Sequence, residues 1–155
     1  MSKPFIVHVS ADFPDTFEPF KTKVIGTLLG LTDHAFQHHV ISLNRVSPRF
    51  TDLLREIAWP TTITMEERPF DRGVAISYEA PSKGIRHLTK LRQMGNWLAE
   101  YIRGMPEKPA LLVGHKLAVE GIVVHRAAQM LGIPYALSIQ GDTDTKLMSV
   151  RRDLN

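Results

Sequence analysis

The order of apolar segments predicts a Rossmann-like three-layer α/β domain with a mostly parallel sheet, on three observations. Short apolar runs fit for buried strands recur along the chain. Stretches with helical spacing of apolar residues separate them. Glycine and proline close those stretches, at Gly104 and Pro106 and again at Gly132-Ile133-Pro134. Strands that alternate with helices in this way are joined by crossovers, and so lie parallel with helices on both faces. The 155 residues, 1–155, fit one domain.

Residues 5–10, FIVHVS, read as a central buried strand. The ADFPDTFEPF that follows holds two prolines and three acidic groups and predicts an irregular loop. Residues 21–34 predict a helix with Val24, Ile25, Leu28, Leu29 and Leu31 on its apolar side. Gly26 and Gly30 weaken that helix and read as close-packing positions. Residues 38–44, HHVISLN, predict the second strand. Phe50 to Ala58 read as a short helix stopped by Trp59-Pro60, and residues 61–66, TTITME, alternate as a strand would. Residues 73–79, GVAISYE, predict a further strand, broken by Pro81, Ser82 and Gly84.

The strongest helical pattern covers residues 85–103, where Ile85, Leu88, Leu91, Met94, Leu98, Tyr101 and Ile102 form one stripe. Residues 109–114, PALLVG, predict a buried strand. Residues 117–131 predict a helix apolar nearly all round, with Gly132 and Pro134 as its stop signal. Residues 135–140, YALSIQ, predict the last strand, and GDTDT opens a turn or a helix start.

Composition narrows the chemistry. An apolar share of 43% and a charged share of 23% argue against disorder. The absence of cysteine excludes disulfides, thiolate nucleophiles and cysteine metal sites. The net charge of +3, from 19 basic and 16 acidic side chains, is too mild to point to nucleic acid. The apolar run in MSKPFIVHVS is too short for a signal peptide, and no stretch approaches the roughly 20 residues that span a bilayer.

Ligands of an open parallel sheet bind beyond the carboxyl ends of its strands. That rule selects Ser10 to Phe20, Glu79 to Lys83, Gly114-His115-Lys116 and Gln140-Gly141-Asp142. At Gly114-His115 the glycine permits a sharp turn or a close ligand, and the histidine can donate, accept or take a proton near neutral pH. A histidine capping the next helix, or exposed on the rim, is the plainer alternative. Asp142, Thr143 and Asp144 carry oxygens suited to a hard cation, although a helix N-cap explains them more simply. His38 and His39 should face opposite sides of a strand, so with His34 they make a poor metal set. Lys83, Arg86 and Lys90 begin the strongest helix on what reads as a solvated face, one that could also meet phosphates or an anionic lipid surface. No dinucleotide fingerprint, P-loop, nucleophile elbow or H-E-x-x-H motif is present.

From Ala110 onward the sequence resembles a known family. Gly114-His115 is followed by a helix ending Ala127-Ala128-Gln129-Met130-Leu131-Gly132-Ile133-Pro134, then by Tyr135-Ala136-Leu137-Ser138-Ile139 running into Gln140-Gly141-Asp142. This is similar to the N-terminal domain of family 4 glycosyltransferases, retaining enzymes of the GT-B fold that build cell-wall, capsule and lipopolysaccharide glycans. Gln140 stands where the family usually has histidine. Phe17-Glu18-Pro19-Phe20-Lys21-Thr22-Lys23 replaces its usual paired-glycine loop.

The resemblance implies transfer of a sugar from a nucleotide-sugar donor to a glycan or lipid-linked acceptor of the cell envelope. His115 would be the catalytic residue, near the transferred sugar and orienting the acceptor hydroxyl. Ser10, Gly114, Lys116, Gln140, Gly141 and Asp142 would border the substrate. No metal and no other cofactor are expected. A second Rossmann domain would hold the nucleotide-sugar, so residues 1–155 alone are expected to fold without catalysing. The expected location is cytoplasmic, with peripheral contact at the inner face of the membrane and no nucleic-acid partner. The competing reading is a non-catalytic Rossmann-like ligand-binding or regulatory module, such as a sugar or nucleotide sensor. A second α/β domain downstream would favour the enzyme, since fold alone does not separate the two.

Overall fold

The computed structural model describes residues 3–48, 62–82 and 85–139. Within them lie strands β1 (Phe5–Ser10), β2 (Gln37–Val46), β3 (Met65–Phe70), β4 (Gly73–Glu79), β5 (Leu111–Gly114) and β6 (Tyr135–Leu137). The helices are α1 (Val24–Thr32), α2 (Ile85–Arg103) and α3 (Val119–Leu131). The sheet runs in the order β3-β4-β2-β1-β5-β6. β3 is antiparallel to β4 and every other pair is parallel, as a Rossmann-like three-layer domain requires.

The order reverses at β1. From β1 the chain moves outward through β2 to β4, then returns to β5 on the other flank of β1. β1 and β5 are therefore neighbours at a topological switch point, where such sheets leave a crevice beyond their carboxyl ends.

Pleating divides the strand residues between two faces. Phe5, Val7 and Val9 pack with Ile41, Leu43, Ile76 and Leu112 against Leu91, Met94 and Leu98 of α2 and Val123, Val124 and Ala127 of α3. The two helices approach closely at Gly95, where a Cβ would lie 2.6 Å from Arg126 Cβ and 3.0 Å from the Val123 carbonyl oxygen. On the opposite face α1 lays Ile25 and Leu29 over Val40 and Phe13, with Phe70 alongside. Gly132 ends α3 in the left-handed region at φ 60°, its N–H donating to the Ala128 carbonyl.

Several expectations need correction. The strand after residue 60 begins at Met65 rather than Thr61 and continues through Glu66, Glu67, Arg68 and Pro69. The two-residue Asp71-Arg72 turn sets its register against β4. As an edge strand it tolerates proline and a polar sequence. Gly26 and Gly30 are not close-packing sites: a Cβ at Gly26 would meet only the Phe13 ring at 3.7 Å, and one at Gly30 would meet nothing within 4 Å. Lys90 does not lie on a solvated face. It is buried, its Nζ donating to the Thr62 carbonyl at 3.4 Å, while Arg86 is exposed. The expected helix over 50–58, Lys83, and Gln140 to Asp144 lie outside the described residues. No helix among the described residues is long and apolar enough to cross a membrane.

Candidate functional site at the β1–β5 switch point

Two of the four strand-end segments meet. β1 runs from Ser10 into Ala11 and Asp12, and β5 from Gly114 into His115 and Lys116. The His115 N–H donates to the Val9 carbonyl at 3.1 Å, which ties the first residue past β5 to the end of β1. Lys116 Nζ pairs with Asp12 Oδ2 at 2.7 Å. The Ala11 N–H donates to Glu120 Oε1 at 2.8 Å, so the first turn of α3 also holds the loop. The segment from Glu79 sits at the end of β4, with β2 between it and β1.

Ser10 is fully buried, and its Oγ accepts the Asp12 N–H at 3.0 Å, which shapes the turn out of β1. Gly114 serves packing rather than a sharp turn. A Cβ there would lie 2.9 Å from Leu137 Cδ2 and 3.4 Å from Glu120 Cβ.

His115 is itself buried, at 3% exposure. Burial pulls its pKa below the ordinary imidazole value, against an opposing pull from Asp12. At neutral pH it is therefore a neutral donor and acceptor, not the titrating rim group that its position suggested. Its Nε2 lies 3.1 Å from His8 Nδ1, and His8 Nε2 lies 2.9 Å from His38 Nδ1. The rings form a row across β5, β1 and β2 on the α1 face of the sheet. His38 Nε2 meets Thr32 Oγ1, at the end of α1, at 3.0 Å. Burial, then the neighbouring His115 and His38, push the His8 pKa down to about 3. His39 faces the other way, its Nε2 3.1 Å from the Tyr101 hydroxyl, as expected from the pleat.

The irregular loop after β1 is fastened over the same face. The buried Asp15 carboxylate accepts from the backbone N–H groups of Phe17 at 2.7 Å and Glu18 at 3.0 Å. It also accepts from Asn44 Nδ2 at 2.9 Å, from the Ser42 hydroxyl, and from Lys21 Nζ at 3.2 Å. Burial pushes the Asp15 pKa up, but the bonds from Ser42, Asn44, Glu18 and Phe17 outweigh it and leave the carboxyl below its ordinary value. Glu120 is the reverse case: its carboxyl is wholly buried, its Oε2 has no hydrogen-bond partner among the described residues, and burial holds its pKa above the usual value.

No family model matches the chain, and no curated protein matches it. The likeness to glycosyltransferases rests on the residues quoted for it above.

His8, Asp15 and Glu120 were not singled out from the sequence, and His38 was weighed there only as part of a metal set. A signal existed for two of them. His8 interrupts an apolar run whose neighbours are all buried, and Glu120 is the one acid in a helix that is otherwise apolar as far as Val124. A polar group in such a place must find partners inside the protein. Asp15 and Lys21 carry no comparable mark, because acids and lysines are ordinary in loops. A separate cavity of about 610 Å³, lined by Phe5, His39, Tyr101, Met105 and Glu107, lies at the amino end of β1 and away from the switch point.

Proposed function

We propose that this domain is the acceptor-side wall of a retaining glycosyltransferase that moves a sugar from a nucleotide-sugar to a hydroxyl of a cell-envelope glycan or glycolipid. The observation that carries the reading is the placement of His115: buried and hydrogen-bonded, one residue beyond β5 at the switch point with β1. Sugar transfer to a hydroxyl asks for a neutral polar group that fixes the direction of the attacking oxygen without carrying charge into a dry cleft. A buried imidazole held by hydrogen bonds offers that.

The Asp12–Lys116 pair and the buried Ser10 and Glu120 lie at the same strand ends. By the resemblance, Gln140, Gly141 and Asp142 would border the substrate, and a second domain would hold most of the nucleotide. Peripheral contact with the inner face of the membrane would follow from a lipid-linked acceptor.

In the two-domain enzyme, His115→Ala is expected to lower turnover by about 10², on the scale of a lost positioning or acid–base group, with the fold intact. Steady-state kinetics on variant and parent check this. Unchanged turnover would remove His115 from the site.

A further inference from the structure

We propose that the cavity at the amino end of β1 is a binding site for a small organic molecule with a primary ammonium head and an apolar body. Phe5 at the cavity and Ser10 at the switch point are the two ends of β1, roughly 17 Å apart at about 3.3 Å per residue. The site is therefore separate from the crevice beside His115 and does not rest on the glycosyltransferase reading.

The walls are held in place by the protein itself. Tyr101 of α2 stacks on Trp97 with ring centres 5.1 Å apart, and its hydroxyl meets His39 Nε2 at 3.1 Å. The Phe5 and His39 rings pack edge to face, with 6.3 Å between centres. Met105 and Pro106, just past the end of α2, complete the apolar side. The space between them, about 610 Å³, lies within the roughly 300–1,000 Å³ that small-molecule sites occupy. Apolar walls with a few polar groups set among them are the usual form of such a site.

The polar groups choose the ligand. Glu100 and Glu107 line the cavity, and no lysine or arginine among the described residues joins them there. Arg103 answers Glu100, whereas Glu107 has no ion pair or hydrogen bond among the described residues. Burial lowers the His39 pKa, so that ring is neutral at pH 7 and does not offset the carboxylates. α2 also ends here, and the carboxyl end of a helix carries partial negative charge that favours a cation. The Tyr101 oxygen keeps a lone pair whichever way the proton between it and His39 lies, and the Gln37 side-chain carbonyl lines the same space. These oxygens accept, and a primary ammonium supplies N–H donors together with the charge that Glu107 lacks. A quaternary ammonium has no N–H to give, an anion would be repelled, and a neutral alcohol would leave Glu107 unanswered.

Backbone proton–nitrogen correlation spectra of the 155-residue chain, titrated at pH 7 with phenethylamine, test the site. The expected result is saturable shifts at the amides of Gln37, Tyr101, Gly104 and Met105, with a constant of about millimolar and no shift at Gly114 or His115. Phenethyl alcohol and the trimethylated ammonium should bind more weakly, and hydrocinnamate should not bind. Glu107→Gln, at an exposed position with no partner among the described residues, should leave the spectrum of the free protein in place and weaken phenethylamine binding about fivefold, the scale of a lost surface ion pair. Shifts that do not saturate or that fall elsewhere overturn the proposal. So does equal binding of the alcohol, the trimethylated form or the anion, or a Glu107→Gln variant that binds as the parent does. The titration needs no transfer activity, so its failure leaves the glycosyltransferase reading standing.

Discussion

Gly73→Ala is expected to cost the fold about 4 kcal/mol, among the largest effects of any single methyl addition in this chain. The added Cβ would lie 2.0 Å from the Val40 carbonyl oxygen and 2.8 Å from its carbon. Those atoms belong to the backbone of β2, which is paired to β1 on one side and β4 on the other. A flexible side chain could swing away, but a central strand cannot without breaking ladders on both flanks. The φ of +157° adds strain for any residue with a Cβ. The Val40 N–H, bonded to the Arg72 carbonyl at 2.8 Å, would lose its partner as the turn moves away. Gly30→Ala is the control. With open space around it in an exposed helix, it should stabilise by about 0.5–1 kcal/mol. Urea midpoints of the two variants should move in opposite directions, and a loss below about 1 kcal/mol for Gly73→Ala would contradict the close approach.

Asp15→Ala is expected to cost about 3–5 kcal/mol, because it strands a buried ammonium and several donors at once. Lys21, Asn44, Ser42 and two backbone N–H groups all converge on this carboxylate. Lys21→Met should cost less, since Asp15 keeps its other four donors and only the cation is lost. That asymmetry separates a carboxylate-centred knot from a simple ion pair. The pH dependence carries a definite sign. The folded-state pKa of Asp15 is lowered, so its contribution is complete above the unfolded carboxylate value near 4 and disappears as pH falls below it through the folded value. Denaturation curves of parent and variant should therefore be far apart at pH 7 and converge toward pH 2. A constant gap across that range would mean that the carboxylate charge plays no part.

The sheet was legible where burial is uniform. FIVHVS is buried at all six positions, and the stripe from Leu88 to Ile102 needs no tertiary information to be read as a helix. β3 was misplaced because an edge strand with one pairing partner is positioned by its turn rather than by its own alternation. Gly26 and Gly30 misled for a related reason: glycine in a helix marks either close packing or mere tolerance, and only the neighbours tell which. At the site, the switch-point rule located Ser10, Gly114, His115 and Lys116, while their surroundings stayed hidden. His8 and His38 are 30 residues apart in sequence, and His8 and His115 are 107 apart. Nothing local connects them until the strand order brings β2, β1 and β5 side by side. Lys90 shows the same limit, since the Thr62 carbonyl that receives it comes from a distant segment.

The central claim is that this domain faces the acceptor and leaves the nucleotide to another domain. Calorimetric titration of the 155-residue chain with UDP- and GDP-sugars, beside a lipid-linked saccharide acceptor, tests it most directly. The prediction is no nucleotide-sugar binding tighter than about millimolar, near −4 kcal/mol, together with measurable acceptor binding that weakens about tenfold, or 1.4 kcal/mol, in His115→Ala. A micromolar constant for a nucleotide-sugar, with the acceptor indifferent to His115, would contradict it.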